Sequence, residues 1–267
     1  MSATAIAPYS VDAYNMSWDS ENKIHDDAVA KRFGFSGGLV PGVDVYGYMT
    51  HQAIARWGRA WLAQGSGNCR FLKPVYDGKL ATVLAADVPD GLEIEVRSEG
   101  VLCATGEAGL PPPASPPALD GFPATPVRPN RPPASQGTLA EGTWLGIAPF
   151  LVSAEYSAKY LLDLREANPL YAEEGLVHPG IILRACNWAV SHNVVLGPWI
   201  RVGSKIQNFA AARVGDTLSV RARIERNYEH KGHRFVELDV LVLARETSPV
   251  ARVAHTAIYL PRQIAEG

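Results

Sequence analysis

The chain repeats itself, and the repeat limits the folds open to it. GGLVPG ends at Gly42 and leads into VDVYGYMTHQAIARWGRAWLAQG, while EGLVHPG ends at Gly180 and leads into IILRACNWAVSHNVV. In the first run Tyr46, Met49, Ala53, Trp57 and Trp61 share one helical face, as do Ile181, Ala185, Trp188 and His192 in the second. Phe71 follows Gly42 by 29 residues, and Phe209 follows Gly180 by the same 29. Each phenylalanine is expected to open a strand, in FLKPVYDGKLATV and in FAAARVGDTLSVRARI. Alternating apolar residues come next. Leu92, Ile94 and Val96 alternate in the first copy, and Leu218, Val220, Ala222, Ile224, then Val236, Leu238, Val240, Val242, in the second. A period of two with one apolar side describes strands that bury one face. One long helix and an antiparallel meander, written twice, make an α+β repeat.

Between the copies, Pro111 to Pro133 reads PPPASPPALDGFPATPVRPNRPP and holds half of the 20 prolines. Proline fixes φ and supplies no N–H to a ladder, so an extended connector is expected there. The chain then divides into an N-terminal half over 1–110, a linker over 111–140 and a C-terminal half over 141–267. Twenty-five Lys and Arg against 27 Asp and Glu give a net charge of −2, without the basic excess that neutralises nucleic-acid phosphates. No apolar run reaches the length of a membrane span. The opening MSATAIAPYS has neither the charged nor the apolar region of a secretory signal. Cys69, Cys103 and Cys186 stand far apart, forming neither a disulfide framework nor a zinc pattern. The expectation is a cytoplasmic protein with no metal and no nucleotide cofactor, since no Gly-rich phosphate loop occurs either.

Two helices, each wrapped by an antiparallel sheet in one chain, resemble the double hotdog fold, and more narrowly the MaoC-like dehydratases and (R)-specific enoyl-CoA hydratases. In that family D-x-N-P-x-H precedes a loop with H-G, where the long helix begins. The second half carries LVSAEYSAKYLLDLREANPLY and then GLVHPG, and the first carries NMSWDSENKIHDDAVAKRFGFSGGLVPG. The resemblance covers most of both halves and implies one continuous sheet and a coenzyme A thioester as substrate. It leaves open whether such pseudo-dimeric chains pair into a homodimer. The departures fall on the catalytic positions. The aspartate position holds Ser20 in the first half and Glu166 in the second; the histidine position holds His25 and Tyr171; the loop has Pro41-Gly42 and Pro179-Gly180. Related two-half enzymes often keep the chemistry in one half, and Asn22 with His25 makes the first half the better candidate.

Hydrating a 2-enoyl thioester needs a base for water, a proton for the α-carbon and a donor for the carbonyl oxygen. His25 is the natural acid/base near neutral pH, with Asn22 orienting water or ring. Its carboxylate partner would be Asp19 or Asp26, with Glu21 a poorer choice. The alternative is a solvent-facing histidine paired with the aspartates of DSENKIHDD. Gly42, opening a long helix, could present its backbone N–H to the thioester oxygen, though Pro-Gly is also ordinary helix-entry chemistry. The second-half equivalents Glu166, Asn168, Tyr171 and Gly180 read as structural, because tyrosine is a poor base at neutral pH, with the reversed assignment, Glu166 as base and Tyr171 as acid, left open. Arg70, Lys73, Lys205 and Arg213 are the cations that could meet coenzyme A phosphates. His230 and His233 in NYEHKGHRF belong to a hairpin turn. Two other readings remain: an acyl-thioester binding protein without catalysis, and a hotdog thioesterase using Asp19, Asp26 or Glu166.

Overall fold

The computed structural model describes residues 6–262. In the first half, β1 (Tyr9–Asp12) and α1 (Asp27–Arg32) precede the long α2 (Gly42–Trp57) and the short α3 (Arg59–Gln64). Strands β2 (Ser66–Phe71), β3 (Leu80–Val88), β4 (Gly91–Ser98) and β5 (Val101–Gly109) follow. The second half starts with β6 (Trp144–Gly146), β7 (Phe150–Leu151), α4 (Ala154–Leu164) and α5 (Leu170–Glu174). It continues with α6 (Pro179–Ser191), β8 (Ile200–Asn208), β9 (Thr217–His230), β10 (His233–Ala244) and β11 (Ser248–Leu260).

The strands join in one eleven-stranded sheet of order β1-β3-β4-β5-β2-β8-β11-β10-β9-β6, with β7 also on β9. That order reads alike from its centre outwards, so each strand of one half has a counterpart in the other. The halves meet where β2 and β8 pair antiparallel, from Ser66 opposite Gln207 to Arg70 opposite Gly203. Helices α2 and α6 lie side by side on one face, and one core cluster runs through both halves. Alternation marked the strands well: Leu92, Ile94 and Val96 are buried in β4, Leu218 to Ile224 in β9, and Val236 to Val242 in β10.

Three sequence expectations change. Neither phenylalanine opens a strand: Phe71 ends β2 and Phe209 follows the end of β8. Residues Ser66–Phe71, SGNCRF, lack apolar alternation because β2 pairs centrally with β5 and β8, and its Gly67 admits a close backbone. A Cβ on Gly67 would lie 3.0 Å from the Glu107 carbonyl oxygen. The single helical run after Gly42 is cut at Gly58, whose φ of +53° suits glycine, and Trp61 turns into the core from α3. In β10, Leu241 and Leu243 break the period of two by being buried as well. The proline-rich segment explains them: it crosses the outer face of the sheet and seats Phe122 against both leucines. Arg221 Nη1 holds it there by donating to the Phe122 carbonyl at 2.7 Å.

Candidate active site

Between β1 and α2 the chain leaves the sheet and builds a small cluster of Ile24, Ala30 and Leu39, flanked by Phe33, Phe35 and Tyr76. This cluster fixes the turn Lys23–His25. Asn15 Nδ2 donates to the His25 carbonyl at 2.8 Å, and Asp26 caps α1 by accepting from Val29 N at 2.9 Å. His25 Nδ1 lies 2.7 Å from the Leu39 carbonyl oxygen. A carbonyl accepts and never donates, so Nδ1 carries the proton and Nε2 presents its lone pair in the neutral ring. Burial pulls the His25 pKa below its usual 6.5, against the upward pull of the Leu39 bond. The ring is neutral at pH 7.

Asn22 does something that the sequence did not disclose. Its Nδ2 donates to the Trp199 carbonyl at 3.0 Å and its Oδ1 accepts from Trp199 N at 3.1 Å. The first-half turn is thereby clamped to the second-half strand entry at β8. Asn22 Nδ2 also lies 3.4 Å from His25 Nε2. No carboxylate hydrogen-bonds to or ion-pairs with His25 among the described residues. Asp19 is exposed, Asp26 is committed to its helix cap, and Glu21 is held by Arg131 at 2.8 Å.

Two cavities, of about 310 and about 280 Å³, meet at Asn22, His25, Pro41, Asn187 and Trp199. The larger is mostly apolar, with Phe35, Leu39, Val45, Phe71 and Ile258 among its walls and Lys73, His233 and Arg201 as its cations or potential cations. The smaller is polar, lined by Ser17, Glu21, Arg131, Arg184 and His192. Helix α2 begins between them, with Gly42 on the larger cavity and Val43 on the smaller. The Pro41 carbonyl already accepts from Asp44 N and Val45 N. The N–H groups of Gly42 and Val43, as the first of the helix, have no intrahelical acceptor and carry the positive end of its dipole. A Cβ on Gly42 would come within 3.2 Å of Arg201 Cδ and of Phe71 Cε2, so glycine keeps this approach open. Behind it Asp44 is fully buried, taking Arg184 Nη2 at 2.8 Å and the Tyr160 hydroxyl at 3.2 Å.

The second half has the same layout, filled in. Glu166 accepts from His51 Nδ1 at 3.0 Å and from Asn168 N at 2.7 Å, with His178 Nε2 at 4.0 Å. Burial alone would raise its pKa, but these donors and His178 outweigh it and hold Glu166 below the usual range. Tyr171 is buried, Gly180 N is spent on His178 Nδ1 at 3.0 Å, and a Cβ on Gly180 would run into the Tyr160 hydroxyl. Burial pushes His178 down to about 4. The counterpart of the large cavity, beside Pro179, Leu183 and Ala210–Ala212, shrinks to about 20 Å³.

Of the four cations expected at a phosphate, Lys73 lines the large cavity. Arg70 and Lys205 are exposed between inward-facing neighbours, Cys69 and Phe71 for one and Ile206 for the other, which puts them on the outer face of the sheet. Arg213 is exposed and donates to the Glu174 carbonyl at 3.1 Å. His230 and His233 pair across a hairpin whose turn residues Lys231 and Gly232 have positive φ, and His233 also borders the large cavity. Trp199, Asn187 and Arg201 carry no sequence signal of a site; WIRVGSK reads as an ordinary strand entry.

Among solved structures, the chain is similar to a conserved hypothetical protein of Mycobacterium tuberculosis with a double hotdog fold, at 16% identity, 96% of both chains covered and a TM-score of 0.61. The fold is the double hotdog. A protein of Chloroflexus aurantiacus described as a MaoC domain dehydratase matches this double hotdog at 10% identity over 96% of this chain and 94% of that one, TM-score 0.60. A Thermobifida fusca protein described as a thioesterase II matches at 15% identity over 96% and 94%, TM-score 0.54. No family profile and no curated protein matches the sequence. These likenesses show the fold alone, and proteins described by two different chemistries share it. No helix among the described residues is long and apolar enough to cross a membrane.

Proposed function

We propose that the chain hydrates or dehydrates an acyl thioester of the 2-enoyl/3-hydroxyacyl coenzyme A type in its first half. The observation that carries this reading is that a neutral imidazole, whose Nε2 lone pair meets the Asn22 amide at 3.4 Å, and the unpaired start of α2 border the same cavity. His25 Nε2 takes a proton from water as the oxygen attacks the β-carbon, and the imidazolium returns that proton to the α-carbon. The thioester oxygen, negative in between, is received by the N–H groups of Gly42 and Val43. Asn22, locked by Trp199, holds the water and the ring edge. In this reading the second half supplies wall and rigidity, its own cavity being nearly closed.

Binding without turnover is the second reading, favoured by the missing carboxylate beside His25. A thioesterase reading has less support, because Glu166 is enclosed and Asp26 is a helix cap. The test is to follow the enoyl-thioester absorbance of crotonyl-CoA and longer 2-enoyl-CoAs, with a thiol reagent in parallel. Loss of the band without thiol release is expected. Thiol release would move the assignment to a thioesterase, and an unchanged band at every chain length would refute turnover.

A further inference from the structure

Arg201 enters β8 directly behind the start of α2, with its aliphatic stem against Gly42 and its guanidinium 5.7 Å from the centre of the Phe71 ring. It is 7% exposed and lines the larger cavity. Nη2 donates to Ser204 Oγ at 2.6 Å, and that hydroxyl is in turn placed by the His255 ring at 3.1 Å. Nε and Nη1 have no acceptor among the described residues, and no carboxylate pairs with the charge. Asp44, the buried carboxylate whose charge acts on Arg201, is already taken by Arg184 on two of its guanidinium nitrogens.

A buried guanidinium with no counter-charge is costly to fold around, and an anion brought by a ligand would offset that cost. The rest of this cavity is mainly hydrocarbon and aromatic, which suits an acyl chain. Its one deeply buried cation suits an anion carried on that chain better than a neutral acceptor, because a neutral oxygen would satisfy an N–H and leave the charge alone. We infer that the larger cavity selects acyl groups that carry a carboxylate, with Arg201 as the specificity-determining partner of that carboxylate. This rests on the thioester reading above and narrows its substrate to the monothioesters of dicarboxylic acids.

The test is calorimetric binding of succinyl-CoA and butyryl-CoA, which are saturated and therefore not hydrated. Wild type should bind the succinyl thioester about tenfold or more tightly, the range expected of a charge-assisted hydrogen bond. Arg201→Met should erase the difference, read as the ratio of the two affinities within the same variant, and Arg201→Lys, which keeps the charge, should retain part of it. Circular dichroism on both variants establishes that they are folded; Lys alone decides the matter if Met is not. Equal affinity of wild type for the two thioesters, or a preference that survives in Arg201→Met, would overturn the carboxylate site and leave the thioester reading standing. Failure of both thioesters to bind would overturn both.

Discussion

Changing His25 to alanine lowers turnover of a 2-enoyl thioester by about 10²- to 10⁴-fold, the usual contribution of a positioned general acid/base. Among the described residues His25 is the one imidazole that lines both cavities beside the start of α2; His178 is walled in by Glu166, Tyr160 and Tyr171. Since burial places the His25 pKa below 6.5, the base form persists into mildly acidic solution. The acid limb of kcat/KM should therefore lie below pH 6.5, where falling pH protonates Nε2, and should disappear in the alanine variant. The change also leaves the Leu39 carbonyl without its donor, at a cost of about 1–3 kcal/mol. Rates measured well below the unfolding temperature separate the two effects. A His25→Ala enzyme within about threefold of wild type, a gap of well under 1 kcal/mol in barrier, would remove His25 from the chemistry.

Asp44→Ala has the largest expected effect on stability, about 3–5 kcal/mol. The carboxylate lies between the two long helices with none of its side chain exposed, accepting from Arg184 Nε, Arg184 Nη2 and the Tyr160 hydroxyl. Alanine strands the Arg184 cation, whose side chain is 17% exposed, and leaves the tyrosine hydroxyl without its acceptor. The Asp44→Ala/Arg184→Met double variant should recover much of the loss, since the cost arises from an unpaired charge more than from the pair's own attraction. Denaturant unfolding of the two single variants and the double variant checks this. A loss under about 1 kcal/mol for Asp44→Ala, the level of an exposed pair, would show that the bridge is not buried in the way described.

How much was legible follows from the range over which each signal acts. Strands β4, β9 and β10 showed themselves because alternation is local, and the duplication because both halves keep the same spacing from glycine to phenylalanine. Strand β2 did not, since a central strand of Gly, Asn and Ser owes its place to its two neighbours rather than to its own residues. The burial of Leu241 and Leu243 was not legible either, since Phe122, which covers them, lies about 120 residues earlier in the chain. In the site, His25, Asn22 and Gly42 could be singled out from sequence, and the structure brings them to one place. Trp199 and Arg201 reach it from about 180 residues away in the chain, through a pairing no local pattern records. Sequence proximity alone does not bring a carboxylate of this turn to His25. Instead Asp26 and Asp27 bind backbone N–H groups of their own loop.

The most direct measurement is a crystal structure with butyryl-CoA bound. The account predicts the thioester oxygen within hydrogen-bonding distance of the Gly42 and Val43 N–H groups, with the β-carbon facing His25 Nε2 and the acyl chain in the larger cavity. A thioester seated instead beside Glu166, His178 and Gly180, or on the outer face of the sheet near Arg70 and Lys205, would contradict it.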